Sequence, residues 1–252
     1  CDSVCGGDER RGRSCLITAP WASELIRPVC LVTGFLGAGK TTLALGLIRS
    51  GVLKDAVLIV NDFGEASFDS SQVGATGTAY RAMDGGCICC TVKDDLLRTL
   101  HEIPDLFPDK TSVWIESSGI SNPSDLIPVF QGSSFLGDSY SLRSVVAVVN
   151  GRNSFDWLLE QESAAEQLST ASISIINQHD DATQDLDRFK QQLLSLNPLS
   201  DVHVLSLKDE PPMSMDIFCG PYDYPPLGQT PTGHGHRHET HGYVTQAIRW
   251  EG

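Results

Sequence analysis

The sequence predicts an α/β fold in which helices cover both faces of a mostly parallel sheet. Short, continuous runs of apolar and β-branched residues recur along the chain, as is typical of strands buried on both faces. Between these runs lie stretches with apolar residues at steps of three and four, the period of an amphipathic helix. Alternating strands and helices favour a parallel sheet, because each connection must cross back over one face of the sheet.

Six strands are predicted in the main part of the chain. The first begins at Pro28 with the letters PVCLVTG, and the helix TTLALGLIRSG follows it after a short loop. The other strands are predicted at 56–62, 112–117, 144–150, 172–177 and 202–207. The helical period is clearest from Leu186 to Leu196, and Pro198 ends this helix.

Changes in composition predict four segments. Residues 28–207 carry the strands and helices, and a chain of this size can bury one full α/β core. Residues 1–27 form an N-terminal extension with neither an initiator Met nor an apolar signal core. Residues 208–242 are rich in Pro, Gly and His without periodicity, as linkers are. Residues 243–252 alternate like the first strand of a further, truncated domain.

The overall charge and the cysteine content exclude several classes of protein. A formal net charge of −14 argues against nucleic acid as a partner. No apolar run approaches the roughly 18 residues of a membrane-spanning helix, so no membrane partner is expected. The eight cysteines are unevenly spread over a chain too large to need disulfide staples. We therefore predict a reducing, cytoplasmic location.

A glycine-rich segment, GFLGAGKTT, lies between the first strand and the helix that follows it. It matches G-x-x-x-x-G-K-[ST], in which glycines let the backbone N–H groups point towards phosphates. Lys40 is expected to reach the outer phosphates and Thr41 to offer its hydroxyl to Mg²⁺. The residues predicted to bind nucleotide here are Gly34, Gly37, Ala38, Gly39, Lys40, Thr41 and Thr42.

Acidic residues follow two later strands, at the sheet edge where open α/β folds bind ligands. Glu116 ends the strand VWIE, and Gly119 allows a backbone N–H to approach a γ-phosphate. Asp62 and Glu65, in NDFGE, are hard oxygen ligands, although a simple turn explains this segment equally well.

We predict that Thr41, Glu65 and Glu116 hold Mg²⁺ and that Lys40, Thr41 and Glu116 are catalytic. A solvated strand end is the structural alternative for Glu116. None of these motifs supplies an obvious water-activating glutamine, so we expect slow hydrolysis that depends on charge stabilisation.

The strand SISIIN ends in the segment NQHD, which shares its last residue, Asn177, at the position where guanine-binding folds carry Asn-Lys-x-Asp. Asn177 can orient the loop and bond the base edge, and the Asp180 carboxylate can accept two hydrogens from guanine N1 and N2. Gln178 stands in place of the lysine, and its shorter, uncharged side chain predicts reduced affinity or selectivity. A polar loop of suitable letters is the alternative interpretation.

Five stretches together, GFLGAGKTT, NDFGE, GGCICC, ESSGISNP and NQHD, resemble the CobW-like family of P-loop GTPases, which is related to the HypB and UreG nickel-insertion GTPases. They occur in family order over most of the chain. The resemblance implies a P-loop NTPase fold and GTP hydrolysis. It also implies that the His-rich segment is the family's linker and that YVTQAIRW opens its smaller C-terminal domain.

The resemblance further implies that Cys87, Cys89 and Cys90 form the Cys-x-Cys-Cys metal site of this family. Thiolates are soft ligands suited to Zn²⁺, Co²⁺ or Cu⁺, and three of them leave a tetrahedral ion one open position. Zn²⁺ is the first expectation and Co²⁺ the second. Buried structural cysteine is the alternative, whereas a disulfide in so short a segment would be strained.

Other cysteines and histidines keep two interpretations. Cys1 and Cys5 fit either a metal site or a disordered tail. The histidines of HGHRHETHG fit metal capture at the surface as well as they fit a solvated linker or a purification-tag remnant; they are His234, His236, His238 and His241. His101 and His203 are expected to be packed or solvated rather than to bind metal.

The sequence thus predicts a GTP-hydrolysing metallochaperone or metal-insertion factor whose nucleotide state controls its hold on a transition metal. Its expected partners are a guanine nucleotide, a metal ion and a client metalloprotein, with a homodimer suggested by family analogy. One alternative is a GTP-dependent activator or assembly protein in which the cysteines form a partner interface. Another is a small-molecule kinase, in which NQHD and CICC would have no role.

Overall fold

The structure is a computed structural model that describes residues 26–60, 78–83, 91–132, 136, 139–178, 185–208 and 218. Seven strands in these ranges form one parallel sheet in the order β3-β2-β4-β1-β5-β6-β7. The strands are β1 (Arg27–Thr33), β2 (Ala56–Val60), β3 (Ala79–Ala82), β4 (Ser112–Glu116), β5 (Tyr140–Asn150), β6 (Ile173–Asn177) and β7 (Asp201–Leu205). The predicted parallel α/β sheet is confirmed.

The described ranges contain six α-helices whose two ends are both described. They are α1 (Lys40–Arg49), α2 (Thr91–Leu106), α3 (Ile127–Gly132), α4 (Phe155–Glu160), α5 (Glu162–Thr170) and α6 (Leu186–Leu196). A short 3₁₀ helix, Pro123–Asp125, precedes α3. None of the helices in the described ranges is long and apolar enough to span a membrane.

Side chains of successive strand residues point to opposite faces, and helices bury both faces. On one face α1 packs over β1, β4 and β5 through Leu43, Leu47 and Ile48. On the other face α2 and α3 cover one half of the sheet and α4, α5 and α6 cover the other half. Trp114 points to the α1 face, whereas its neighbours on β4 point to the opposite face.

All six predicted strands are present, with shifted ends, and one strand was not predicted. Strand β3 lies at the edge of the sheet and pairs with β2. Its letters, AYRA, contain no continuous apolar run because two of its four residues are exposed. Strand β5 begins at Tyr140 rather than at residue 144, since its first residues alternate between buried and half-buried positions.

Phe218 lies within the predicted linker of residues 208–242, yet it is only 1% exposed. Its ring packs edge to face on Trp114, with the centroids 4.8 Å apart. It joins the apolar cluster beneath α1 together with Leu207. At this position the predicted linker therefore contributes to the core. Residues 1–25 of the predicted N-terminal extension and residues 243–252 lie outside the described residues, whereas Arg27, at the end of that predicted extension, begins β1.

Candidate functional site

The loop between β1 and α1 takes its shape from three glycines in left-handed conformations, Gly34 (φ 141°), Gly37 (φ 72°) and Gly39 (φ 107°). Side chains larger than hydrogen are strained at such angles. At Gly34 space is also lacking, because a Cβ atom would lie 2.2 Å from the carbonyl oxygen of Val148. The loop is therefore pressed against β5 and turns directly into α1.

Helix α1 begins at Lys40 with Gly39 as its N-cap, so no side chain caps its first N–H groups. Uncapped N–H groups at a helix N-terminus are donors that suit a phosphate. Lys40 is only 6% exposed, and its Nζ donates a 2.9 Å hydrogen bond to Gly34 O across the loop. The Lys40 ammonium group therefore lies against the backbone of this loop, next to Gly34.

Thr41 and Glu116 lie in direct contact. The Thr41 hydroxyl donates a 2.7 Å hydrogen bond to Glu116 Oε1, and Glu116 is 1% exposed. Strand register explains the meeting, since Glu116 on β4 pairs with Val32 on β1 and Val60 on β2. A hydroxyl and a carboxylate side by side are hard oxygen donors of the kind that Mg²⁺ prefers, so the described residues fit this ion.

The negative charge of Glu116 also affects Tyr80 on β3. The pKa of Tyr80 is raised above its ordinary value, first because the phenol is partly buried and second because the Glu116 carboxylate disfavours a phenolate nearby. Tyr80 was not among the predicted site residues, because the short strand that carries it has no recognisable apolar pattern. Strand β3 therefore lies within electrostatic reach of Glu116.

Gly119 follows Glu116 and packs against the phosphate loop. A Cβ atom at Gly119 would lie 2.7 Å from Leu36 Cδ2 and 2.9 Å from Leu36 N. Only glycine fits so close to another segment's backbone without displacing it. The structure thus brings Gly119 next to the loop that holds Lys40, as expected for a segment that approaches a γ-phosphate.

Two asparagines support the phosphate loop from the strands on its other side. Asn177, at the end of β6, donates from Nδ2 to Ala38 O (3.1 Å) and accepts from Leu207 N at 3.3 Å. Asn150, at the end of β5, donates from Nδ2 to Gly37 O (3.2 Å). Asn150 was missed by the sequence reasoning, although a polar residue that ends a buried strand was a usable signal.

The remaining predicted residues are either exposed, bonded away from the phosphate loop or outside the described residues. Thr42 is exposed on the first turn of α1, and Gln178 is exposed with its backbone N–H bonded to Leu205 O. His101 is exposed on α2, and His203 lies 3.1 Å from Asp201 Oδ2 on β7. Several predicted residues lie outside the described residues: Asp62, Glu65, Cys87, Cys89, Cys90 and Asp180.

The cysteine segment connects two described elements, since β3 ends at Ala82 and α2 begins at Thr91. Among the described residues, no group of three or more His, Cys, Asp or Glu side chains could hold a metal ion. The described Cys30 is buried in the core, where its sulfur accepts a hydrogen bond from Ser144 Oγ.

Several known proteins resemble this chain in sequence. The family model described as CobW/HypB/UreG, nucleotide-binding domain, matches residues 28–204. The "Zinc-regulated GTPase metalloprotein activator 1" of Schizosaccharomyces pombe is 30% identical over 69% of this chain and 44% of its own length. The "Zinc chaperone YjiA" of Escherichia coli is 28% identical over 72% of this chain and 58% of its own length.

Among solved structures, the hydrogenase maturation factor HypB of Archaeoglobus fulgidus matches with a TM-score of 0.55 and 20% identity. The match covers 72% of this chain and 82% of that chain, and it supports the P-loop NTPase fold. The chain spans about half the length of the curated relatives it matches.

Proposed function

Because this chain belongs to the CobW/HypB/UreG family of nucleotide-binding domains, we propose that it binds GTP with Mg²⁺ and hydrolyses GTP slowly. We further propose that its nucleotide state controls its hold on a transition metal. The observation that carries the nucleotide part is the contact between Thr41 and Glu116 at the start of α1, beside the buried Lys40. A triphosphate with Mg²⁺ needs a hydroxyl, a carboxylate and an ammonium group placed together in this way.

The described residues divide the chemistry of hydrolysis among them. Lys40 exchanges its bond to Gly34 O for a phosphate oxygen, and the first N–H groups of α1 bind phosphate through their partial positive charge. Thr41 and Glu116 would hold Mg²⁺, with Glu65, which lies outside the described residues, as the further predicted ligand. When bound there, Mg²⁺ would neutralise charge that develops on the phosphate oxygens. The Gly119 N–H is the proposed donor to the γ-phosphate.

Guanine is the proposed base. Asn177 ties the end of β6 to the phosphate loop through Ala38 O, so a base bound after β6 would be held in register with the phosphates. Asp180 is the proposed acceptor of guanine N1–H and N2–H. In a competition assay, Asp180→Ala should lose the preference for GTP over ATP, whereas Gln178→Lys should tighten GTP binding. Equal affinity of the parent for ATP and GTP, together with no effect of Asp180→Ala, would exclude this base site.

The proposed cargo is zinc, with cobalt as the second candidate, bound by Cys87, Cys89 and Cys90. The printed names of two relatives support zinc, since they describe a zinc-regulated activator and a zinc chaperone. The position of the cysteines supports control by nucleotide. They follow β3 in the chain, and the Glu116 carboxylate contributes to the raised pKa of Tyr80 on that strand, so β3 is the proposed link between the Mg²⁺ site and the cysteines.

The test is metal affinity in two nucleotide states. Zinc and cobalt binding would be measured with a competing chelator under reducing conditions, once with a GTP analogue and once with GDP. A carrier should differ between the two states by roughly 5- to 150-fold, the usual range of allosteric coupling. Cys89→Ser should weaken metal binding strongly and leave metal-free GTP affinity nearly unchanged. Cys30→Ala is the matched control, because this thiol is buried in the core.

Equal metal affinity in both states would overturn the carrier function. That result would favour the second candidate, a GTP-dependent activator or assembly protein whose cysteines contact a client metalloprotein. The name of the Schizosaccharomyces pombe relative, a metalloprotein activator, is the observation that supports it. Binding to a client, homodimer formation and a cytoplasmic location stay predictions.

A further inference from the structure

We propose that Gln167 is a positioning residue for nucleotide hydrolysis. It holds the loop of residues 117–122 against the phosphate loop and so sets where the Gly119 N–H stands opposite the γ-phosphate. The inference rests on the proposed GTPase function and extends it to a helix, α5, that carries none of the nucleotide-binding motifs.

Gln167 is a buried polar residue whose side chain is committed to this loop. It lies on α5 and is only 1% exposed. Its Nε2 group donates to Gly119 O at 3.1 Å and to Ser121 O at 3.0 Å. A glutamine amide has two N–H hydrogens, and both are used on carbonyls of the same loop. The side chain therefore holds two points of the loop, two residues apart.

The opposite side of the loop is closed by the phosphate loop. Gly119 packs so tightly on Leu36 that a Cβ atom would come within 2.9 Å of the Leu36 backbone nitrogen. Gln167 also lines a cavity of about 10 Å³ together with Gly34, Phe35 and Ala38. One side chain thus borders both the loop that follows Glu116 and the loop that cradles phosphate. Gln167 is therefore placed to set the spacing between these two loops.

Helix α5 is itself a fixed support. Asn197, which follows α6, donates from Nδ2 to Leu168 O at 3.0 Å and to Ala171 O at 2.8 Å, at the C-terminal end of α5. Bonds to the last carbonyls of a helix stabilise that end. The amide of Gln167 is therefore presented from a helix that is tied to the neighbouring α6 region.

Two further side chains of α5 contact the same loop, but through exposed hydrogen bonds. Ser163 Oγ donates to Ile120 O at 3.2 Å, and Glu166 accepts from Asn122. Exposed hydrogen bonds are readily replaced by water, whereas a buried carbonyl that loses its donor has no substitute. We therefore assign the positioning role to Gln167 and a minor role to the exposed contacts.

The test compares Gln167→Met with the parent in the full chain. Methionine has nearly the same length and volume but no N–H donor, so the core stays filled while the loop is released. Because only a triphosphate reaches Gly119, affinity for a GTP analogue should fall roughly fivefold to tenfold, the effect of losing about one hydrogen bond. GDP affinity should change by less than about twofold, and kcat should fall more than the KM for GTP rises.

Three controls separate this role from a purely structural one. Gln191→Met makes the same change at an exposed position on α6 and should alter none of these values. Ser163→Ala removes an exposed contact to the same loop and should have a smaller effect than Gln167→Met. Gln167→Asn keeps the amide but shortens its reach, and it should fall between parent and Gln167→Met. This variant also serves as the test if the methionine variant does not fold.

Two results would overturn the inference. Equal loss of GTP-analogue and GDP affinity in Gln167→Met would show that the side chain only supports the fold. Unchanged kcat and GTP-analogue affinity would show that the loop keeps its place without the amide. A parent protein that neither binds nor hydrolyses GTP would instead overturn the proposed function, and with it this inference.

Discussion

The phosphate loop is held differently on its two sides. On the side of β5 and β6, Asn150 and Asn177 donate hydrogen bonds to its carbonyls at Gly37 and Ala38. On the side of β4, the Thr41 hydroxyl meets the Glu116 carboxylate, and Gly119 rests on Leu36 by van der Waals contact. The hydrogen bonds on the β5–β6 side join protein groups that no ligand is expected to engage. The contacts on the β4 side involve groups that Mg²⁺ and a γ-phosphate would engage.

This difference separates a constant part of the site from a responsive part. Amide-to-carbonyl bonds on the β5–β6 side need no ligand and keep the loop in shape for a di- or triphosphate. We expect the contacts on the β4 side to change when an ion and a third phosphate bind, because Thr41, Glu116 and Gly119 would then exchange neighbours. We expect substitutions on the two sides to have different nucleotide signatures, and four predictions test this.

The largest effect is expected from Lys40→Ala, which removes the buried ammonium group that is bonded to Gly34 O in the phosphate loop. GTP turnover should fall by at least about 100-fold, since a single lost donor to transition-state charge commonly costs this much. Turnover would be measured by phosphate release with excess Mg²⁺. Hydrolysis at the parent rate would show that the phosphate loop has been misassigned.

Glu116→Gln should impair Mg²⁺ binding on the β4 side of the site and leave the β5–β6 side intact. Glutamine keeps the size of the side chain but removes its charge, so Mg²⁺-dependent GTP affinity should fall by roughly tenfold or more, as is usual for losing one charged hydrogen-bonding partner. Nucleotide affinity with Mg²⁺ chelated should change little. Titrations with a fluorescent GTP analogue, with and without Mg²⁺, would measure both. An equal loss in the two conditions would contradict the Mg²⁺ assignment.

Asn177→Ala should remove hydrogen bonds that support the phosphate loop on the β5–β6 side. Asn177 is 5% exposed, and its loss leaves Ala38 O and the Leu207 N–H without their partner, which should lower the free energy of unfolding by about 1–3 kcal/mol. GTP and GDP affinities should fall by similar factors. Denaturant unfolding and nucleotide titration would test this.

Asn150→Ala is the matched control for this variant, because its bond to Gly37 O is exposed and its loss should cost less. A GTP-specific defect in Asn177→Ala would contradict the division of the site into two sides.

The smallest effect concerns Tyr80. Since the Glu116 carboxylate is the second cause of its raised pKa, Glu116→Gln should lower the pKa of Tyr80 towards its ordinary value without reaching it, because burial, the larger cause, remains. Ultraviolet titration of the phenolate in each background would be compared with the same protein carrying Tyr80→Phe. Equal pKa values of Tyr80 in the parent and in Glu116→Gln would show that the Glu116 charge does not act on β3.

Local patterns were sufficient for the parts of the site that depend on neighbouring residues. The glycines, Lys40 and Thr41 act within a few positions of one another, so their spacing predicts the loop and the start of α1. The buried parallel strands were equally readable, because burial on both faces produces continuous apolar runs. Strand β3 was not predicted, since an edge strand with exposed residues has no such run.

The sequence by itself determined the sheet-and-helix order, the phosphate loop and the candidate Mg²⁺ ligand Glu116, because each depends on residue type and short-range spacing. Only the tertiary structure decided that Gln167, 48 residues after Gly119, binds that glycine's carbonyl, and that Phe218 covers Trp114. The physical reason is that such contacts depend on how separate elements pack. The hydrophobic patterns of the sequence along α5 and around Phe218 depend on burial and helical period. Neither property specifies which distant group a side chain will contact.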